Sequence, residues 1–258
     1  MARRSRSDYR RRRRRKQRRK IIASLLAVFI IAGAVVAAVT VFFKVAKFDV
    51  TGSTLYTGEE IIAATEIQLG ENMFSVNKFD VANKILNKFP YIGEIKIRRR
   101  LPDTFVFEIT QRKSAAYFQT EKFRWLIDKN GYILESVEPD KEIALPLVTG
   151  VSLVAPSPGA KAALDSPDSL RVLELLLSAL ENGGIIENVG KVDVTKLYNL
   201  TITFDKRFIV EFGTEQELDR KVKMLKAVIE QLETTDKGTI NISDAKQARF
   251  RPNANLQV

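Results

Sequence analysis

The sequence predicts an α+β protein: a single N-terminal transmembrane helix, then a β-α-α-β-β module, then a strand-rich mixed α/β domain. Three observations lead there. Residues 21–43 run for 23 positions without a charge, about 35 Å as a helix against the ~30 Å hydrocarbon core of a bilayer. Residues 57–89 carry two helix-start signals, each followed by apolar residues at helical spacing. Beyond residue 91, short alternating apolar runs recur between turn residues, interrupted by two longer helical patterns.

Charge sets the direction of the span. Residues 1–20 carry thirteen Lys and Arg against a single acid, Asp8. Without them the chain's 42 basic and 31 acidic residues become 29 and 30, so the formal charge of +11 lies wholly in this block. A basic flank keeps its side of a span cytoplasmic, which places the following domains outside. Arg11, Arg12, Arg13, Arg14, Arg15, Lys16, Arg18, Arg19 and Lys20 are the residues expected to meet anionic lipid headgroups, each worth about 1 kcal/mol near the surface. A near-neutral remainder argues against nucleic acid as a partner of the folded part. A cleaved signal peptide would need a shorter apolar region of roughly 7–15 residues, and a buried core helix would not be apolar all round.

The chain has no Cys and no His. Ser-His-Asp and Cys-His catalysis and the usual zinc ligand sets are therefore excluded, and the fold must rest on core burial without disulfides. No cofactor motif is present. Ser75-Val-Asn-Lys78 matches the S-x-x-K nucleophile motif of penicillin-binding enzymes, but the accompanying motifs are scrambled and out of order. Asn77 capping a helix explains the region without chemistry.

In order, the elements read as follows. Residues 1–20 form a disordered basic cytoplasmic tail, too charged to bury a core, and 21–43 the transmembrane helix. Residues 47–115 form the first module. Phe48 and Val50 before Gly52 give a short strand, and Thr57 with Glu60 makes a capping box for a first helix. Asn77 caps a second helix with Phe79, Ala82, Leu86 and Phe89 at helical spacing. Two alternating runs, Ile92-Ile95-Ile97 and Phe105-Phe107-Ile109, flank a Pro102-Asp103 turn. Residues 116–245 form the second domain. Strands at 123–127 and 132–134 surround the turn Asp128–Gly131, and another ends at Gly150. Residues 155–168 read as a loop. Ser166-Pro167 opens a Leu-rich helix stopped by Gly183-Gly184. Strands at 189–194, 199–204 and 208–212 follow, the last two joined by a hairpin at Asp205-Lys206. Thr214 and Glu217 suggest a second capping box for the helix bearing Leu218, Val222, Leu225, Ile229 and Leu232. Two heptads are too few for a coiled-coil seam, so this stripe should face the sheet. A last strand at 239–242 precedes a short C-terminal tail, 246–258.

This order of parts resembles the bacterial FtsQ/DivIB cell-division family, whose first extracytoplasmic module is a POTRA domain. The match is carried by Val50 and Gly52, Gly70 with Met73-Phe74, Pro90-Tyr91-Ile92, Arg98 to Pro102, Ile109 with Arg112, and by Trp125, Asp128 and Gly131 in a W-x-x-D-x-x-G hairpin. Gln111 stands where the family often has Glu. The resemblance implies a non-enzymatic divisome scaffold without cofactors, in the cell membrane at the division septum. It further implies FtsL/FtsB(DivIC)-type single-pass partners and a part in controlling septal peptidoglycan synthesis, with septal cell-wall synthases as further partners. Another POTRA-bearing assembly or secretion component is the alternative, followed by a membrane-anchored cell-wall enzyme. A strand edge offers unpaired backbone groups to such a partner. The candidate edge is Thr239, Ile240, Asn241 and Ile242, continuing toward Ala248, Phe250 and Pro252; the hairpin of the first module is a second candidate contact.

Overall fold

A computed structural model describes residues 4–253, with side chains from residue 19 onward. Helix α1 spans Arg4–Phe42. The basic stretch expected to be disordered therefore continues the helix back to Arg4. Arg, Lys and Gln are good helix formers, and a helix already nucleated by an apolar segment gains one hydrogen bond for each residue added. Within it, Arg19–Phe42 is 24 residues with a mean hydropathy of 2.8 and is not buried against the rest of the chain, so it is long and apolar enough to cross a membrane. The Thr40 hydroxyl donates back to the Val36 carbonyl at 2.8 Å, so it needs no outside partner in lipid.

The chain beyond α1 divides into two compact units. The first takes the chain up to Thr51, Tyr56–Ala82 and Lys96–Glu108; the second takes Gly52–Leu55, Asn83–Ile95 and the described residues from Ile109. β1 (Lys47–Thr51) lies parallel to β3 (Thr104–Gln111), which is central in a three-stranded sheet with β2 (Ile92–Arg100) on its other side. Helix α2 (Gly58–Thr65) starts as the sequence predicts. Thr57 Oγ accepts from the Glu60 amide at 3.2 Å, and the Glu60 carboxylate accepts from the Thr57 amide at 2.8 Å. Helix α3 (Lys78–Lys88) follows its Asn77 cap. Its buried residues are Val81, Ile85 and Phe89, whereas Phe79 is 72% exposed. Two stripes sharing Phe89 both satisfy helical spacing, and only packing chooses between them. Phe105 and Phe107 are fully buried with Ile61 and Met73; each such side chain contributes ~1.5–3 kcal/mol.

The second unit is built on a nine-stranded sheet. Its strands are β4 (Ala116–Gln119), β5 (Arg124–Ile127), β6 (Ile133–Val137), β7 (Leu147–Thr149), β10 (Val189–Asp193), β11 (Leu200–Phe204), β12 (Phe208–Gly213), β13 (Gly238–Asn241) and β14 (Arg249–Pro252). The spatial order is β14-β13-β12-β11-β10-β7-β4-β5-β6. A separate two-stranded ribbon pairs β8 (Leu153–Val154) with β9 (Ala163–Leu164), so the 155–168 segment expected to be a loop contains a short strand. Helices α4 (Pro167–Asn182) and α5 (Leu218–Ile229) touch each other and bury Val172, Leu173, Leu176, Leu177, Val222 and Leu225 in one core with the sheet. The stripe on α5 is thus core, as its length argues. The Asp205-Lys206 turn has φ of 50° and 57°, the left-handed pair that matches hairpin twist.

The second capping box does not form. Glu217, with φ 52°, caps α5 without a side-chain bond. The buried Lys221 Nζ instead reaches the carbonyls of Phe212 and Thr214 at 2.8 and 2.9 Å. That turn is already committed to ending β12, and burial pushes the Lys221 ammonium below its ordinary value. The last difference is β14, a strand where a polar tail is expected.

Candidate functional site

Among the described residues, β14 ends the nine-stranded sheet, with a strand neighbour on one side only. It runs antiparallel to β13, with Gly238 opposite Pro252, Thr239 opposite Arg251, Ile240 opposite Phe250 and Asn241 opposite Arg249. Just beyond the strand, the Asn253 amide donates to the Lys237 carbonyl at 3.0 Å. Bonding direction alternates along an antiparallel strand. The amides of Arg251 and Arg249 therefore also face β13, leaving the Phe250 amide and carbonyl and the Pro252 carbonyl on the outer edge. Pro252 has no N–H to offer there, a position where proline suits an edge strand.

Side chains hold this strand in place. Phe250 meets Phe208 edge-on at 6.1 Å and leans on the core. Gly238 is required opposite, because a side chain there would collide with the Arg251 carbonyl and the Phe250 ring. The loop before β13 is tied by Arg207 Nη1, which donates to the Glu233 and Thr234 carbonyls at 3.0 and 2.9 Å. The connection to β14 is tied by Asn241, which bonds the Glu211 carboxylate and accepts from Ser243, and by Asp244, which accepts from the Lys246 amide. Arg249 and Arg251 are exposed on the face opposite Phe250.

The predicted residues are thus brought together but in different roles. Thr239, Ile240 and Asn241 lie in β13, inside the sheet between β12 and β14, with both backbone sides occupied. Ile242 is buried just after it, its amide bonded to the Glu211 carbonyl. The free edge falls on Phe250 and Pro252, with Ala248 leading in. The opposite end of the sheet is less open. There β6 begins under the 159–162 segment, with Ile133 N donating to Ala160 O and Gly159 N to Ile133 O. Of the residues read as headgroup contacts, Arg11, Arg12, Arg13, Arg14, Arg15, Lys16 and Arg18 have side chains outside the described residues; Arg19 and Lys20 are exposed where the apolar segment begins. The Ser75 hydroxyl of the S-x-x-K match donates to the Asn72 carbonyl at 2.7 Å, in a turn before α3.

One group exceeds what the sequence suggests. Asp128 reads as an ordinary turn residue, yet its carboxylate is 3% exposed and pairs with Arg112 Nε at 3.2 Å. Its Oδ1 also accepts from the amides of Asn130 and Tyr132 at 2.9 and 2.7 Å. The Arg112 guanidinium lies 4.0 Å over the Tyr132 ring and donates to the Pro90 carbonyl at 2.8 Å. Burial pushes the Asp128 carboxyl above its ordinary value, against the opposing pull of the Tyr132 amide and Arg112. The signal available was the spacing of Trp125, Asp128 and Gly131, but the partner is sixteen residues away in another strand's exit and no local pattern names it.

Comparison with known proteins matches both halves. The domain family described as POTRA domain, FtsQ-type, covers residues 43–112, and the family described as cell division protein FtsQ/DivIB, C-terminal, covers 116–245. The cell division protein DivIB of Clostridium tetani is 26% identical over 205 residues, 78% of this chain and 77% of that protein. FtsQ of Geotalea daltonii is 25% identical over 215 residues, 80% and 76% of the two chains. A solved structure of the major extracytoplasmic domain of DivIB from Geobacillus stearothermophilus covers 50% of this chain and 99% of its own, at 13% identity and a TM-score of 0.32. From the POTRA-type match through the strands that lead to β14, the chain belongs to the FtsQ/DivIB family of bacterial cell-division proteins.

Proposed function

We propose that this chain is a non-enzymatic scaffold of the division machinery, anchored by one membrane span with its basic N-terminus in the cytoplasm. Its folded parts, the module at 47–115 and the domain that runs from 116 through β14, work outside the membrane at the septum. There the β14 edge takes an added strand from an FtsL/FtsB(DivIC)-type single-pass protein and so helps control septal peptidoglycan synthesis. The observation that carries the reading is the outer side of β14, which no other described strand covers, backed by a partly buried Phe250 against Phe208 and bordered by two exposed arginines. Strand addition supplies main-chain bonds, and alternating side chains supply choice. An added strand with acidic residues opposite Arg249 and Arg251 fits best, because opposite charges directly across a sheet stabilise the pair by ~0.2–1 kcal/mol. The basic tail meets anionic headgroups on the cytoplasmic side, and septal cell-wall synthases are the further partners.

The test compares Phe250→Pro with Phe250→Ala, measuring capture of an FtsL/FtsB-type extracytoplasmic segment. Phe250→Pro removes the outward N–H, whereas Phe250→Ala removes the ring and keeps the N–H. Capture lost in the first and largely kept in the second supports strand addition at β14. Equal capture by both, with the fold intact, refutes it.

A further inference from the structure

The first unit receives α1 without a linker. Val39 O accepts from Asn72 Nδ2 at 2.9 Å, and Met73 N donates to Phe43 O at 2.9 Å. Val45 N donates to Glu71 O at 2.8 Å, and Gly70 N to Val45 O at 2.7 Å. The Phe74 ring closes the joint, edge-on to Phe43 at 5.4 Å. Four hydrogen bonds therefore clamp the loop 70–73 onto the last turn of the helix and the residues that follow it. Val39 lies inside the apolar segment Arg19–Phe42, which puts its carbonyl roughly 4–5 Å short of the segment's end. If that segment crosses a bilayer, a loop bonded at this depth cannot stand clear of the headgroups.

The side chains around the loop suit that position. Leu69, Phe74, Phe79 and Leu101 are 68, 48, 72 and 54% exposed. They come from three separate stretches gathered at the same end of the unit. Arg99 is the organiser: its guanidinium donates to the carbonyls of Met73 at 2.7 Å and Val76 at 2.9 Å and lies 5.4 Å from the Phe74 ring. It thus joins the loop, the start of α3 that carries Phe79, and the end of β2 that leads to Leu101. The Asp103 carbonyl accepts from the Ala46 and Lys47 amides, which brings the β2–β3 turn beside the exit of α1. Lys44 and Lys78, both exposed, border this apolar end with cations able to reach lipid phosphates.

The geometry points to a lipid-contacting face: Leu69, Phe74, Phe79 and Leu101 lie in the interfacial layer of the leaflet from which α1 emerges. The occupant of this exposed apolar surface is the bilayer itself, and α1 with the first unit forms one piece seated on the membrane. Amphipathic surfaces of this kind enter the headgroup boundary by ~5–10 Å. The inference rests on the reading of 19–42 as a membrane span.

The chain has no cysteine, so a single introduced one takes a fluorescent label uniquely. Full-length Phe79→Cys, Leu69→Cys, Glu59→Cys and Val35→Cys chains are labelled with an environment-sensitive dye. They are reconstituted in phosphatidylcholine–phosphatidylglycerol vesicles and quenched by doxyl lipids or by aqueous iodide. Labels at 69 and 79 are expected to be quenched by shallow doxyl lipid and shielded from iodide, with 59 the reverse and 35 quenched by deep doxyl lipid. Embedding at 35 with iodide-accessible labels at 69 and 79 overturns the lipid face while the anchor stands. Iodide access at 35 refutes the anchor and the inference with it. Labels at 69 and 79 shielded from both quenchers show a protein covering and overturn the lipid assignment.

Discussion

Replacing Arg112 by Met removes the cation that faces Asp128 and leaves a carboxylate that is 3% exposed without a counter-charge. Taking one partner from a buried pair costs about 3–5 kcal/mol, because the remaining charge cannot recover its hydration. The low end is expected here, about 3 kcal/mol, since Asp128 keeps the amides of Asn130 and Tyr132 and can also protonate. Protonation gives the test its second arm. Burial already holds Asp128 above the ordinary carboxylate value, while Arg112 pulls it down. A carboxyl whose folded pKa is raised contributes stability fully present below its unfolded pKa, and that contribution is lost as pH rises through the folded value. Without Arg112 the folded value climbs further, so Arg112→Met loses stability with rising pH over a wider window than the parent chain. Adding Asp128→Asn removes the charge and recovers part of the loss at neutral pH. The assay is urea unfolding of the full chain in detergent micelles across pH, followed by Trp125, the chain's one tryptophan, which lies on the neighbouring β5. An Arg112→Met chain within about 1 kcal/mol of the parent, or no recovery by Asp128→Asn, refutes the reasoning.

Three further outcomes are expected. Lys221→Met leaves the Phe212 and Thr214 carbonyls without their donor and should cost ~2 kcal/mol in the same urea assay; an unchanged midpoint would mean water takes over both bonds. Gly131→Ala forces a residue with φ 73° to carry a Cβ 2.8 Å from Leu170 Cδ1. It should cost roughly 1–3 kcal/mol, visible as a lower melting temperature, and an unshifted melt would show that the turn relaxes freely. Thr57→Ala removes the capping box of α2 at about 1 kcal/mol, and faster hydrogen exchange at the Glu60 amide is the specific sign to look for.

Local signals were legible wherever one side chain acts on its own backbone neighbourhood. Thr57 with Glu60, Asn77, and Asp205 opening the left-handed turn each did what their residue types favour, whereas Lys206 takes φ 57° because the hairpin twist requires it. Thr214 and Glu217 show the limit: the same letters carry no cap where Lys221 from the next turn ties the Thr214 carbonyl to the end of β12. Helix faces were legible only when one stripe stood alone. α5 has one and the core takes it, while α3 has two that share Phe89, and the core takes Val81 and Ile85.

By itself the sequence determined the apolar segment with its basic flank and the α+β class, both carried by composition, period or spacing along the chain, and its motifs carried the family resemblance. Tertiary structure alone decided which strand is last. Whether 239–242 is an edge depends on whether Arg249–Pro252 folds back to pair with it, a choice made by Phe250 against Phe208 and by the absence of a side chain at Gly238. The Arg112–Asp128 pair and the loop clamped to the end of α1 are of the same kind. Each joins residues distant in sequence, and their geometry exists only once the strands between them have found their register.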